Sequence, residues 1–137
     1  MTVDYYFTPV SPWAFLGHDR FVRLLQDTGS AVRVMPVDYG AIFPVSGGLP
    51  LGQRAPQRQA YRLVELRRYA EFLDVPLNPQ PAFFPVSGDA ASKLIVAVDR
   101  TLGPAAALHL GGRVGRAIWV EQRNAADPDT LRALVAE

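Results

Sequence analysis

The residues with the most chemical promise sit near the start of the chain, in "FTPVSPWAFLG", residues 7–17. An alternating apolar run ends there, and a helical pattern begins with Ser11 and Pro12. A serine ahead of a proline at a helix start is an ordinary cap, whose oxygen satisfies one free backbone N–H. Position adds a second reading. Where a strand feeds a helix within a strand–helix–strand unit, the junction lies at the carboxyl edge of the sheet, where ligands bind. The helix start there offers free N–H groups and about half a positive charge, which favours an anion. If that anion were a thiolate, the Ser11 hydroxyl could donate its hydrogen to the sulfur and lower the thiol pKa. The chain contains no cysteine, so the thiol has to come from outside. The cap reading and the thiolate reading do not exclude each other.

The elements that would hold Ser11 in place follow from periodicity. Val3, Tyr5 and Phe7 alternate with polar neighbours, which predicts a strand over residues 2–8. Pro12 to Thr28 predicts a helix, with Trp13, Leu16, Phe21, Leu24 and Leu25 as its apolar stripe and Gly29 as its stop. Ala31 to Val37 predicts a second strand, parallel to the first across a right-handed crossover. Residues 1–38 are thus expected to form a βαβ part. Residues 39–137 are expected to form a connector and a helical segment packed as one compact unit.

In that second part, "PVSGGLPLGQRAPQ" carries too many glycines and prolines for a regular element and is expected to be a loop. Helices are expected over residues 57–73, with Ala60, Leu63, Leu66, Ala70 and Leu73 on one face, and over residues 90–102. A further helix starts at Pro104 and is expected to reach about Arg123. Its Gly111, Gly112 and Gly115 predict a close approach of a neighbour to its backbone. A last helix is capped by Asp127, with Leu131 and Val135 expected on an exposed apolar side. Phe83 and Phe84 are expected in the core.

Composition limits the function. In 137 residues, 49% are apolar and 20% charged, the profile of a globular domain, and a net charge of +1 gives no general attraction for nucleic acid. Without cysteine there is no disulfide, no thiolate metal site and no Cys-x-x-Cys redox pair. His18 and His109 do not stand at ligand spacing, so no metal is expected. No basic leader with a long apolar core opens the chain, and no run approaches the roughly 18 apolar residues of a membrane span. A cytoplasmic location is the expectation.

The segment "DYYFTPVSPWAFLG" resembles the opening of the 2-hydroxychromene-2-carboxylate isomerases and kappa-class glutathione transferases. These are thioredoxin-fold relatives of bacterial disulfide oxidoreductases in which a Ser-Pro pair replaces the redox cysteines. "APQRQAYRLVELRRYAEFLDVPLNPQPAFFPV" and "RAIWVEQRNAADPDTL" continue the resemblance along essentially the whole chain. It implies an α/β thioredoxin-like βαβ unit with a large helical insertion. It also implies glutathione as cofactor, a small aromatic or unsaturated 2-oxo acid as substrate, and a homodimer. Ser11 matches the serine that polarises the glutathione sulfur, and Pro12 and Trp13 match the residues that follow it. Arg58 falls where the families often carry a lysine near a carboxylate, and an arginine would grip one bidentately. Tyr61 matches a family tyrosine, but reads more readily as packing on the insertion helix. The families' Gly-Asn turn has no counterpart in "SGGLPLG".

The implied reaction is cis–trans isomerisation through thiolate addition, bond rotation and elimination. Glutathione transfer shares its first step, and a non-catalytic thioredoxin-like fragment is the alternative from another class. The resemblance places a cis-proline loop, two antiparallel strands and a closing helix past Glu137. This stretch alone is therefore expected to be poorly stable or self-associated, and to bind glutathione weakly.

Overall fold

The computed structural model describes residues 1–137 throughout. Strands β1 (Thr2–Phe7) and β2 (Ala31–Pro36) pair in parallel, with Val3 opposite Val32 and Tyr5 opposite Val34. Helix α1 (Pro12–Thr28) joins them. Both strands and their parallel pairing were legible from the alternation, because β-branched and aromatic residues recur with period two.

Helix α1 ends because Gly29 adopts a left-handed backbone with φ of 60°, which lets its N–H reach back to the Gln26 carbonyl. The inward side of α1 differs from the expected stripe. Leu16, His18 and Leu25 are buried, whereas Leu24 is 58% exposed.

The stretch after β2 corrects the expectation of an irregular loop. Residues Tyr39–Ser46 form helix α2, and Leu51–Gln53 form one 3-10 turn before helix α3 (Pro56–Leu73). Asp38 starts α2 by accepting the Gly40 N–H at 2.7 Å, and Gly47 stops it with φ of 74°. Pro44 lies inside this short helix. Pro44 removes one internal N–H bond, while the Asp38 side chain satisfies one of the four N–H groups that a helix start leaves free.

Helices α4 (Asp89–Leu102), α5 (Pro104–Trp119) and α6 (Pro128–Ala136) complete the fold. Helix α5 is its axis. It buries Leu110, Val114, Ala117, Ile118 and Trp119, and it packs with Ile95, Phe7, Val34 and Leu134 in one core shared by both parts of the chain.

The glycines of α5 are approached by side chains rather than by backbone. A Cβ on Gly112 would lie 2.6 Å from His18 Nε2, and one on Gly115 would lie 2.9 Å from Phe15 Cδ2. Helix α5 also stops at Trp119, short of the expected Arg123. The Trp119 carbonyl, which the next turn would need, accepts the N–H of Asn78 at 2.7 Å. Arg123 instead donates its N–H to the Ala117 carbonyl at 2.8 Å.

Two further expectations are corrected. Leu131 is 6% exposed, because α6 lays it and Leu134 against the core, which leaves only Val135 outward. Phe83 is 46% exposed, and only Phe84 packs inward, with its ring 4.8 Å from that of Trp119. On the outer face of the sheet, Arg33 pairs with Asp4 and Tyr6 is exposed.

Candidate functional site

Ser11 is the N-cap of α1. Its extended backbone, with φ −79° and ψ 128°, turns the chain from β1 into the helix. Its Oγ accepts the Ala14 N–H at 3.3 Å, and its own N–H donates to the Thr8 carbonyl at 3.1 Å. Pro12 occupies the first helical position and is buried, where its fixed φ suits the helix and its missing N–H costs nothing. No acidic residue lies in the first turn of α1, so its positive end is not neutralised by its own side chains.

Beside Ser11 opens a cavity of about 270 Å³. Its walls are mostly aromatic, from Tyr5, Tyr6, Phe7, Trp13, Phe21 and Tyr39. Tyr5 stacks on Phe21 at 4.3 Å and on Phe7 at 4.5 Å. Burial, with Tyr39 adding to it, pushes the Tyr5 phenol above the ordinary tyrosine value, so it stays protonated at neutral pH. Neither histidine lines this cavity.

Trp13 is 41% exposed and forms a wall of two cavities. The second, of about 400 Å³, lies against α3 and is lined by Arg54, Gln57, Arg58, Tyr61, Arg62 and Glu65. The Trp13 ring meets Tyr69 edge-on at 5.7 Å, which ties the start of α1 to α3. Arg58 and Tyr61 thus share a cavity with Trp13, whereas Ser11 lines only the first cavity and Pro12 lines neither.

Sequence reasoning singled out Ser11, Pro12, Trp13, Arg58 and Tyr61 as site residues and did not name the cavity residues Tyr5, Tyr39, Arg54 and Arg62. The four-residue spacing of Arg58 and Arg62 was a usable signal, since it sets the two on one face of α3, whereas Arg54 precedes that helix in extended backbone and gave none. Tyr39 gave none, because α2 itself was not expected.

A larger cavity, of about 780 Å³, lies at the other end of α1, between Gly29–Val32, Asp74–Pro76 and α5. His18 reaches it from α1, and burial pushes its imidazole below the ordinary histidine value. Nowhere in the chain do three or more His, Asp or Glu side chains come together as a metal site would require.

A parallel βαβ unit that presents a capped helix start, followed by a helical segment folded over it, is the arrangement of a thioredoxin-like fold with a helical insertion. The chain belongs to the DsbA-like thioredoxin domain family, whose profile matches residues 2–137. Among individual proteins, it is similar to glutathione S-transferase kappa 1 of Caenorhabditis elegans, 34% identical over 82 residues, which cover 59% of this chain and 36% of that protein. It is also similar to a 2-hydroxychromene-2-carboxylate isomerase of Pseudomonas putida, 28% identical over 138 residues, which cover 100% of this chain and 64% of that protein. The chain therefore spans less than two thirds of either relative. A solved 2-hydroxychromene-2-carboxylate isomerase superposes with a TM-score of 0.72 at 22% identity, over 100% of this chain and 72% of that one, and shares its fold.

Proposed function

We propose that the chain carries the thiolate-holding part of a glutathione-dependent isomerase of the 2-hydroxychromene-2-carboxylate type. The observation that carries this reading is the Ser11 cap. A hydroxyl has one hydrogen to donate and two lone pairs to accept with. Capping Ala14 uses a lone pair, so the hydrogen stays available for an anion in the cavity.

The fit to glutathione concerns its thiol end. A space of about 270 Å³ falls below the roughly 300–1,000 Å³ of sites that enclose a drug-sized ligand. It suits a thiol arm rather than the whole tripeptide. When bound, glutathione supplies a thiolate that adds to a conjugated carbon, frees the former double bond to rotate, and leaves again.

The protein's own groups do the rest. Ser11 donates its hydrogen to the sulfur, and the start of α1 adds favourable potential without a formal cation. The aromatic walls reduce the water around both, which strengthens those interactions. Ser11 does not act as a nucleophile, because no histidine lines its cavity to take the proton. Arg58 and Tyr61, across Trp13, hold the acid group of the substrate.

A second reading is glutathione transfer, favoured by the 34% identity to the kappa-class transferase. The two separate in one assay. Isomerisation regenerates free glutathione, so turnover of an unsaturated 2-oxo acid without net thiol loss supports the first reading. Stoichiometric thiol consumption supports the second, and no turnover with either type of substrate, in a form that also carries the segment the resemblance places past Glu137, counts against both.

A further inference from the structure

The cavity between Trp13 and α3 has an unusual charge balance. Arg54, Arg58 and Arg62 line it against one carboxylate, Glu65. None of the three arginines lies within 4.0 Å of an acidic group, although the chain forms eight such ion pairs elsewhere.

Two of the guanidinium groups are fixed in place without being neutralised. Arg54 donates from Nε to the Leu49 carbonyl at 2.9 Å, which leaves its outer nitrogens free. Arg62 lies over the Phe84 ring at 5.4 Å, and that ring packs on the buried Trp119. The Arg62 guanidinium is half-buried and pairs with a ring face rather than with a hydrogen-bond acceptor. Burial and the nearby Arg54 charge both disfavour its charged form. A group that gives up water without gaining an acceptor raises the free energy of the empty site, and a bound anion recovers that cost. Fixed guanidinium forks also lose little freedom on gripping a planar anion.

We propose that this cavity is a receptor for a ligand with two negative groups, and that Arg62 and Arg54, together with Arg58, select it over singly charged analogues. The inference rests on and deepens the functional reading above, since the ligand would be the acceptor whose anionic groups sit in this cavity while its conjugated carbon reaches past Trp13 to the Ser11-held thiolate. One carboxylate satisfies at most one or two guanidinium groups. A second anionic group uses the remaining arginine and balances the excess positive charge. The exposed indole of Trp13 provides the flat wall for the body of the ligand.

The test needs neither glutathione nor turnover, so its outcome is independent of the Ser11 chemistry. Phthalate and benzoate are titrated separately against the protein at low ionic strength, with Trp13 fluorescence as the readout. Glutathione alone is titrated as a third probe. Trp119 is fully buried, and near-ultraviolet circular dichroism of its band checks the fold of each variant. Phthalate is expected to bind about tenfold or more tightly than benzoate, with the preference shrinking in high salt. Arg62→Met and Arg54→Gln are each expected to cut that preference to about threefold or less. Arg62→Lys keeps the charge but loses the stacked fork, and should recover only part of it. Should Arg62→Met fail to fold, Arg54→Gln and Arg62→Lys still decide. Equal affinity for phthalate and benzoate overturns the proposal, as does an unchanged preference in the folded variants. Glutathione binding that matches phthalate and falls in the same variants would overturn the assignment to the acceptor and give the arginines to the cofactor.

Discussion

The Oγ of Ser11 lies 3.3 Å from the backbone nitrogen of Ala14 and accepts its hydrogen. One atom can thus cap a helix and still have a hydrogen to give. The two roles separate by substitution. Ser11→Ala should lose the cap and cost about 1 kcal/mol of stability. Ser11→Asp keeps an accepting oxygen and should hold stability within about 0.5 kcal/mol of the wild type. It should nonetheless abolish glutathione binding, because a carboxylate donates no hydrogen and repels a thiolate. Urea unfolding and glutathione titration of the two variants check this. An aspartate variant that binds glutathione normally would leave Ser11 as a cap alone.

The glycines make opposite predictions in two helices. Gly112 faces His18 so closely that an added methyl would displace the ring, so Gly112→Ala should destabilise the fold by roughly 1–3 kcal/mol. Gly17 lies within α1 with nothing within 4 Å of an added Cβ. Gly17→Ala should stabilise the protein by about 0.5–1 kcal/mol through backbone entropy. Thermal unfolding of both variants measures the contrast, and equal shifts of one sign would contradict this account of the α1–α5 contact.

His18 gives stability a pH dependence. Burial pushes its imidazole down, more strongly than Asp19 and the Leu108 carbonyl push it up, and His109 assists the lowering. The folded chain therefore holds this proton less tightly than the unfolded chain. The corresponding stability is fully present above the unfolded value of about 6.5. It declines as pH falls from there through the lower folded value, because the unfolded chain takes up the proton first. Denaturation midpoints should thus drop below about pH 6.5, and His18→Gln should flatten that part of the profile. A wild-type midpoint that stays level there would show that the His18 ring protonates freely in the fold.

Much of the framework was legible in the sequence because local signals and packing agreed. Val3, Tyr5 and Phe7 have both β propensity and one buried side, and Ser11, Pro12 and Gly29 punctuate α1 as their chemistry requires. What escaped depended on distant partners. Helix α5 ends where Asn78 takes the Trp119 carbonyl, a contact between residues far apart in the chain. Helix α2 was hidden by Pro44, although Asp38 and Gly47 bracket it. At the site, Ser11 and Trp13 could be read from their position at a strand–helix junction. That Ser11 and Arg58 line different cavities that share Trp13 could not, since it depends on how α3 packs against α1.

The central claim is that Ser11 and the start of α1 stabilise a thiolate that the chain does not itself supply. The thiolate absorbance of glutathione, titrated with pH in the presence of saturating protein, tests it most directly. The account predicts that bound glutathione ionises well below the roughly 8.5 of a free thiol, and that Ser11→Ala raises that value by about one unit. A bound thiol that titrates identically in the wild type and in Ser11→Ala would contradict it.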